Sequence, residues 1–404
     1  MALSECAPRG LCAEPFTPLV DQLGNALASG DQLGLSVYVD IDGELAVDLW
    51  GGYRDRECSA AWQRDTVTNV WSLTKLVTNL AALLLISHGE LDPDAPVGRY
   101  WPEFTQNGKR DVLVRQLLNH SSGLSGWEQP ISGEDICDLE SSTAALAAQA
   151  PWWQPGSASG YHMLTQGHLI GELIRRITTI PLKEFIAQQV ALPLEADFQL
   201  GLNACDRERA AEIVAPPYEM SFARLPAGDI RRKTFTGPAL DAGFANSERW
   251  HEASIGAANG FGNARSLAAI LRAIALGGEL SGLRLLSERA VDEVFKIQSS
   301  GRDLVLGLDL NFGLGFGLPS AYTDSFLPAS GRIAYWGGWG GSLAVIDNER
   351  RMTITFVMNK MSAGIIGSPL STLCVQTVYD CLAANPPSAV TATGVQGLAT
   401  LIQG

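Results

Sequence analysis

The chain has 404 residues, which is long enough for a large buried core, and its charged fraction of 18% with ten tryptophans is typical of a globular protein. A net charge of −14 with only six lysines excludes a nucleic-acid-binding protein, because phosphate-backbone sites need clustered Lys and Arg. No run of about 18 or more uninterrupted apolar residues occurs, so no membrane span is predicted.

Two features of the sequence bear on where the protein works. The seven cysteines form an odd number without a Cys-x-x-Cys pair, which is typical of reduced thiols in a reducing compartment. Residues 1–16 contain charges and a proline where a secretory signal needs an apolar core. We therefore expect a cytoplasmic protein.

Strand patterns lie near both ends of the chain. Residues 35–50 alternate apolar and polar side chains on both sides of Asp42-Gly43, a dipeptide suited to the positive φ angles of a tight hairpin. Residues 341–358 repeat this arrangement, with the turn expected at 347–349. Each region therefore predicts a pair of antiparallel strands.

Between these two regions the apolar residues recur at three-and-four spacing, the period of an amphipathic helix. This pattern predicts helices over 76–87, 112–118, 164–177, 182–190, 266–276 and 287–295. If the strands from the two ends pair into one sheet, the helical middle is an insertion carried on that sheet. The seam between the two parts is then the natural cleft for a functional site.

The tetrapeptide Ser72-Leu73-Thr74-Lys75 stands where the first predicted helix begins. Residues three apart share one helix face, so the lysine amine can reach the serine hydroxyl. Lysine can act as the base for a serine nucleophile only if burial keeps it neutral, and the surrounding residues are apolar. The tetrapeptide alone leaves a second interpretation open, a helix-capping serine with a lysine that extends to solvent.

Three further stretches resemble the serine β-lactamase-like family, which includes class C β-lactamases, DD-peptidases and carboxylesterases. Downstream of the Ser-x-x-Lys motif, residues 88–102 and 114–124 are very similar to what these enzymes carry there. Tyr161 matches the tyrosine of the second family motif, and Trp336-Gly337-Gly338 stands in place of the third, Lys-Thr-Gly or His-Thr-Gly. The resemblance extends over roughly residues 20 to 382.

The resemblance implies an α/β (α+β) fold in which an antiparallel sheet, built from N- and C-terminal segments and flanked by helices, carries a mostly helical inserted domain. The implied sheet domain comprises 15–80 and 255–384, and the helical domain comprises 81–254. Residues 385–404 form a C-terminal tail in this division.

The resemblance also implies the catalytic unit and its surroundings. Ser72, Lys75 and Tyr161 are the implied catalytic residues, with the phenol hydrogen-bonded to the lysine. In the Trp336-Gly337-Gly338 motif, tryptophan replaces the cationic residue that binds a substrate carboxylate in the third family motif. The resemblance implies that this tryptophan forms an apolar wall for the substrate instead. The main-chain N–H groups of Trp339 and Ser72 form the implied oxyanion hole.

These residues predict a serine carboxylesterase that hydrolyses small or apolar acyl esters, without a cofactor or a metal. Capture of the same acyl-enzyme by an alcohol or amine would make the protein an acyltransferase, and the sequence leaves this alternative open. A β-lactamase or D-aminopeptidase is less favoured, because Met163 stands where the lactamases have the asparagine of their Tyr-x-Asn motif. A catalytically inactive binding protein with the same fold is the remaining alternative.

Two other enzyme classes are not supported. An α/β-hydrolase needs a Gly-x-Ser-x-Gly nucleophile elbow, and this pentapeptide does not occur. A metalloenzyme could use His162 and His168, but the chain lacks His-Glu-x-x-His and any matched Cys/His spacing. We interpret both histidines as ordinary helix residues.

Overall fold

The computed structural model describes residues 7–217, 221–280, 282–385 and 399–401. These residues form fifteen strands: β1 (Arg9–Cys12), β2 (Gly34–Ile41), β3 (Glu44–Gly52), β4 (Thr68–Asn69), β5 (Gln199–Leu200), β6 (Gly260–Gly262), β7 (Glu279–Leu280), β8 (Leu283–Arg284), β9 (Ser299–Arg302), β10 (Asp309–Phe312), β11 (Gly317–Leu318), β12 (Ile333–Gly337), β13 (Leu343–Asp347), β14 (Met352–Met358) and β15 (Ala399–Leu401).

Eleven α-helices occur in the same part of the chain: α1 (Pro18–Ala28), α2 (Thr74–Ser87), α3 (Val114–Leu118), α4 (Leu139–Ala148), α5 (Thr165–Thr178), α6 (Leu182–Ile186), α7 (Ile230–Thr236), α8 (Glu248–Glu252), α9 (Ala264–Ala275), α10 (Glu288–Phe295) and α11 (Pro369–Ala384). Helix α6 continues as a π-helical turn over Ala187–Ala191.

One ten-stranded antiparallel sheet joins the two ends of the chain. Its strand order is β15-β1-β3-β2-β14-β13-β12-β11-β10-β9. Strands β2 and β14 pair from Leu35 opposite Met358 to Ile41 opposite Met352, so segments about 300 residues apart lie side by side. The α/β class with an antiparallel sheet built from both termini is therefore confirmed.

Both predicted hairpins form. Strands β2 and β3 are joined at Asp42 and Gly43, which both have positive φ angles, 57° and 83°. This combination is the one that a two-residue turn with right-handed strand twist needs. The second hairpin joins β13 to β14 across residues 348–351, slightly later than the predicted turn. Strands β2, β13 and β14 are buried along nearly their whole length, so both faces of the sheet are covered there.

All six segments with helical periodicity contain a helix, mostly with ends shifted by one or two residues. The periodicity does not predict α1, α4, α7, α8 and α11, although a proline in the first turn marks the starts of α1 and α11. The predicted boundary between sheet and helical domains stays a prediction. Most of the predicted tail, 385–404, lies outside the described residues, and its described strand β15 pairs with β1.

Helix α2 lies in the middle of the molecule and contacts α5, α6, α9 and α10. Nearly all of its side chains are buried, including the polar ones at its N-terminal end. Two of them fix the helix to loops on either side: Thr78 Oγ1 donates to Gly256 O at 2.6 Å, and Asn79 Nδ2 donates to Gly315 O. Any group at the start of α2 is consequently held in a rigid and largely water-free environment.

Within the described ranges, no helix combines the length and the apolar character that a membrane span requires.

Candidate active site

A tight turn places Ser72 at the start of helix α2. Residues Trp71–Leu73 form one 3-10 turn before the helix, and Trp71 has a φ angle of 49°. A left-handed conformation costs a non-glycine residue about 1–2 kcal/mol, so its surroundings must hold it. Thr74 does so, because its Oγ1 donates to Trp71 O at 2.6 Å and accepts from Gly260 N at 2.9 Å.

Lys75 lies one turn after the serine and is 1% exposed. Its Nζ is 3.1 Å from Ser72 Oγ, 2.7 Å from Met163 O and 3.0 Å from Ala257 O. Within the described ranges, no carboxylate forms an ion pair with it. Burial therefore lowers the pKa of Lys75 well below its ordinary value.

Tyr161 reaches the same serine from the loop that precedes α5. Its Oη is 2.7 Å from Ser72 Oγ and 3.2 Å from Trp336 Nε1. An indole N–H can only donate, so the phenol oxygen accepts from Trp336 and its own hydrogen is directed to Ser72. Burial raises the pKa of Tyr161 above its ordinary value, which keeps the phenol protonated.

These contacts define a hydrogen-bond chain. Carbonyl oxygens only accept, so Met163 O and Ala257 O take two N–H groups of Lys75. In the neutral amine this leaves the lone pair of Nζ facing Ser72. When Lys75 is neutral, donation therefore runs from Trp336 through Tyr161 and Ser72 to Lys75. When Lys75 is protonated, the last bond is reversed and Nζ donates to Ser72 Oγ.

The contact between Tyr161 and Lys75 differs from the expected one. The sequence comparison predicted a hydrogen bond between the phenol and the amine, whereas the phenol oxygen bonds Ser72 and Trp336. Lys75 Nζ instead lies over the Tyr161 ring, 4.7 Å from its centroid. The two carbonyl acceptors explain this geometry, because they turn the amine away from the phenol oxygen.

The end of strand β12 packs directly against the serine turn. A Cβ atom at Gly337 would lie 2.5 Å from Gly367 N, and one at Gly338 would lie 2.6 Å from Val70 O. Real Cβ atoms do not approach backbone so closely, so both positions require glycine. The close approach brings Trp339 beside the turn, where its ring lies 4.9 Å from that of Trp71.

The main-chain N–H groups of Ser72 and Trp339 at this junction have no acceptor in the described part of the chain. The neighbours of Trp339 differ in this respect, since Gly338 N donates to Ser342 O at 2.8 Å and Gly340 N donates to Gly364 O at 2.8 Å. Unpaired N–H groups are rare in folded proteins. These two are suited to bind an anionic oxygen beside the serine hydroxyl.

A cavity of about 280 Å³ opens onto Ser72 and Tyr161. Its described lining contains no charged side chain. The other lining residues are Trp71, Met163, Leu164, Ser221, Phe222, Ala223, Phe235, Thr236, Ala239, Leu240, Ala258, Trp339, Ala363 and Ile365. Trp336, which the sequence predicts as the apolar wall, is outside this lining, because its indole is buried behind Tyr161. Trp339 contributes the wall instead.

The histidines considered as metal ligands are bonded to protein groups. His162 Nε2 is 2.7 Å from Ser122 Oγ, and its Nδ1 is 2.7 Å from Gly160 O. Burial lowers the pKa of His162 to about 3. His168 Nε2 is 2.8 Å from Ile136 O. His168 lies in α5 as expected, whereas His162 precedes that helix, which corrects its interpretation as a helix residue.

Comparison with known proteins agrees with this geometry. The model of the beta-lactamase family matches residues 19–364. Esterase/beta-lactamase LipL of Mycobacterium tuberculosis is 33% identical over 346 residues, 82% of this chain and 78% of LipL. Esterase EstB of Burkholderia gladioli is 27% identical over 381 residues, 88% of this chain and 92% of EstB. The crystal structure of a family VIII carboxylesterase has a TM-score of 0.86 and 34% identity, and covers 93% of this chain and 100% of its own.

The chain therefore belongs to the beta-lactamase family. Its relatives and its fold identify it as a serine hydrolase.

The glycine at 338 allows a direct test of the junction between β12 and the serine turn. We expect Gly338→Ala to slow covalent labelling of the protein by a fluorophosphonate probe by about 10²-fold, because the new Cβ would displace the Trp339 N–H, and losing one oxyanion donor has this effect. Gly228→Ala is the control, since Gly228 has open space around it. Unchanged labelling of a normally folded Gly338→Ala variant would contradict the packing argument.

Proposed function

We propose that this protein is a serine carboxylesterase that hydrolyses small or apolar acyl esters through an acyl-enzyme on Ser72. The hydrogen-bond chain that ends at Lys75 supports this proposal more than any other observation, because it places a buried amine, whose pKa is lowered by burial, at hydrogen-bond distance from the serine hydroxyl. The structural alternative, a capping serine with a lysine extending to solvent, would leave Lys75 exposed. It is instead buried and bonded to two carbonyls.

In the proposed acylation step, Ser72 Oγ attacks the ester carbonyl carbon and its proton moves to Lys75 Nζ. The carbonyl oxygen becomes an oxyanion, which the N–H groups of Ser72 and Trp339 bind. The bond to the leaving oxygen then breaks. The phenol of Tyr161 protonates the departing alkoxide. Lys75 Nζ, which lies over the Tyr161 ring, then turns from a carbonyl oxygen toward the phenolate and gives it the proton taken from Ser72.

Deacylation repeats these steps with water as the nucleophile. Water gives a proton to the regenerated base and attacks the acyl carbon, and the same two N–H groups bind the second oxyanion. The bond to Ser72 Oγ breaks, and the serine recovers its proton from Lys75. Lys75 thus takes and gives up one proton in each half of the reaction. In acylation the serine proton replaces the one that Tyr161 gives to the leaving alcohol, and in deacylation a water proton passes to Ser72.

The cavity supports an uncharged, apolar substrate. Phe222 and Phe235 stack with ring centroids 4.1 Å apart and planes 9° from parallel, and both contact the cavity. Met163 occupies the position of the lactamase asparagine and also lines the cavity, so the amide that would bind a lactam side chain is absent there. These features favour an ester over a β-lactam or a D-amino acid peptide. The name of the relative EstB, an esterase, agrees with this preference, whereas LipL is named both an esterase and a beta-lactamase.

Acyl transfer is the second candidate function. Apart from Ser72 and Tyr161, the hydroxyl groups of the described lining are those of Ser221 and Thr236. Few groups are therefore available to hold water, and an apolar alcohol that enters the same cavity would compete with water for the acyl-enzyme. The expected ester or acyl partner and the cytoplasmic location stay predictions.

Intact-mass spectrometry tests the proposed function. After a pulse of p-nitrophenyl butyrate we expect the wild-type protein to gain one butyryl group and to release nitrophenol, because Ser72 is the nucleophile. Ser72→Ala should do neither. Added 1-butanol separates the two candidate functions: free butyrate as the main product indicates an esterase, and butyl butyrate indicates an acyltransferase. Equal behaviour of wild type and Ser72→Ala would overturn the proposal in favour of a binding protein.

The pH dependence of ester hydrolysis tests the base. Below its pKa, Lys75 is an ammonium without a lone pair, so kcat/KM should rise with pH through an apparent pKa well below the roughly 10.4 of free lysine. Lys75→Arg should be as inactive as Lys75→Ala, with a loss of about 10²–10⁴-fold, because guanidinium cannot serve as a base.

Lys109 provides the matched control for this experiment. It is also buried, and its Nζ donates to Gln106 O at 3.0 Å, but it has no contact with Ser72. Burial lowers the pKa of Lys109 to about 8. We expect Lys109→Arg to retain the wild-type pH profile. A flat wild-type profile between about pH 6 and 10 would contradict the assignment of Lys75 as the base.

A further inference from the structure

A buried carboxylate holds the main chain of Tyr161. Asp303 follows strand β9 and is 1% exposed. Its Oδ1 accepts three main-chain N–H groups, those of Tyr161 at 3.1 Å, Val305 at 2.9 Å and Leu306 at 2.8 Å. The last two belong to the same turn as Asp303 and would suffice to build it. The first comes from a residue 142 positions earlier in the chain.

The turn that carries Asp303 is itself tied to the tyrosine loop. Leu304 N donates to Ser159 O at 2.9 Å, and Asp303 N donates to Leu308 O at 2.8 Å. Gly307 N donates to Asp303 O at 2.9 Å, which closes the turn. The carboxylate is therefore fixed in position by main-chain bonds and cannot follow a shift of Tyr161.

His120 holds the tyrosine loop from the opposite side. Its carbonyl oxygen accepts from Gly160 N at 2.9 Å, and its Nδ1 accepts from His162 N at 3.1 Å. Three successive N–H groups, at 160, 161 and 162, are thus bonded alternately to His120 and Asp303. These bonds fix the main chain of Tyr161 on both sides, and from this position its phenol reaches Ser72 Oγ at 2.7 Å.

We propose that Asp303 is a positioning residue for the reaction: through the Tyr161 N–H it sets the phenol at hydrogen-bond distance from Ser72 Oγ. This inference rests on the proposed function. Asp303 Oδ2 is buried and has no hydrogen-bond partner in the described part of the chain. A buried polar atom without a partner costs stability, so folding alone does not explain why a carboxylate stands there. Its negative charge also adds to burial in raising the pKa of Tyr161.

The test compares kcat and KM of Asp303 variants for p-nitrophenyl butyrate, with kcat expressed per active site titrated by the nitrophenol burst. We expect Asp303→Ala to lower kcat by about 10- to 100-fold with little change in KM, because a misplaced phenol affects the reaction and not substrate binding. Asp303→Asn should retain most of the activity, since its amide oxygen can accept the same N–H. Asp303→Ser, too short to reach Tyr161 but able to cap Val305, should behave like Asp303→Ala.

Two comparisons separate positioning from loop building. Asp347→Ala removes another buried carboxylate that caps a turn, through Arg350 N at 2.9 Å, and should lower the melting temperature without changing kcat per active site. In a Tyr161→Phe background, Asp303→Ala should cause no further loss of kcat, because Asp303 acts through the phenol.

Three outcomes would overturn the inference. Wild-type kcat per titrated site in Asp303→Ala or Asp303→Ser would make Asp303 a loop residue only. Multiplicative losses in the Tyr161→Phe background would show that it acts independently of the phenol. A wild-type protein without Ser72-dependent turnover would overturn both the proposed function and this inference. If the wild-type protein turns over normally, either of the first two results overturns this inference alone.

Discussion

The site depends on a lysine that is buried without an opposite charge. An ammonium group in a low-dielectric interior is costly, and Lys75 has carbonyl and hydroxyl partners but no carboxylate in the described structure. Because helix α2 is covered on nearly all sides, burial favours the uncharged amine and lowers the pKa of Lys75. The sheet built from both chain ends and the helices around α2 together keep Lys75 buried.

The tryptophan of the third motif sets the character of the hydrogen-bond chain. A cation at this place would stabilise a tyrosinate, whereas an indole N–H can only donate to a neutral phenol. In the proposed mechanism, Trp336 thus leaves Tyr161 as a proton donor and Lys75 as the base. The described cavity lining also lacks a charged side chain, so it offers no group that would bind a substrate carboxylate.

Local pattern predicted much of the fold, and tertiary contacts determined the rest. The Asp42-Gly43 hairpin, the helices and the spacing of Ser72 and Lys75 all depend on residues close together in the chain. The role of Tyr161 could be predicted only from the resemblance to a family, because no feature of the neighbouring sequence indicates it. Asp303 was missed, since its contact with Tyr161 spans 142 residues and no motif contains it. The orientation of Trp336 could not be predicted either. The sequence of its strand is compatible with an indole that lines the cavity and with a buried indole that donates a hydrogen bond.

The protonation state of Lys75 tests this account most directly. The chain has six lysines, so a sample labelled with ¹³C at lysine Cε should give six resolvable signals, with those of Lys75 and Lys109 assigned from the Lys75→Arg and Lys109→Arg variants. We expect the Lys75 signal to titrate well below the roughly 10.4 of an ordinary lysine. A Lys75 signal that titrates near or above that value would contradict its role as the base, because the amine would then be protonated at neutral pH.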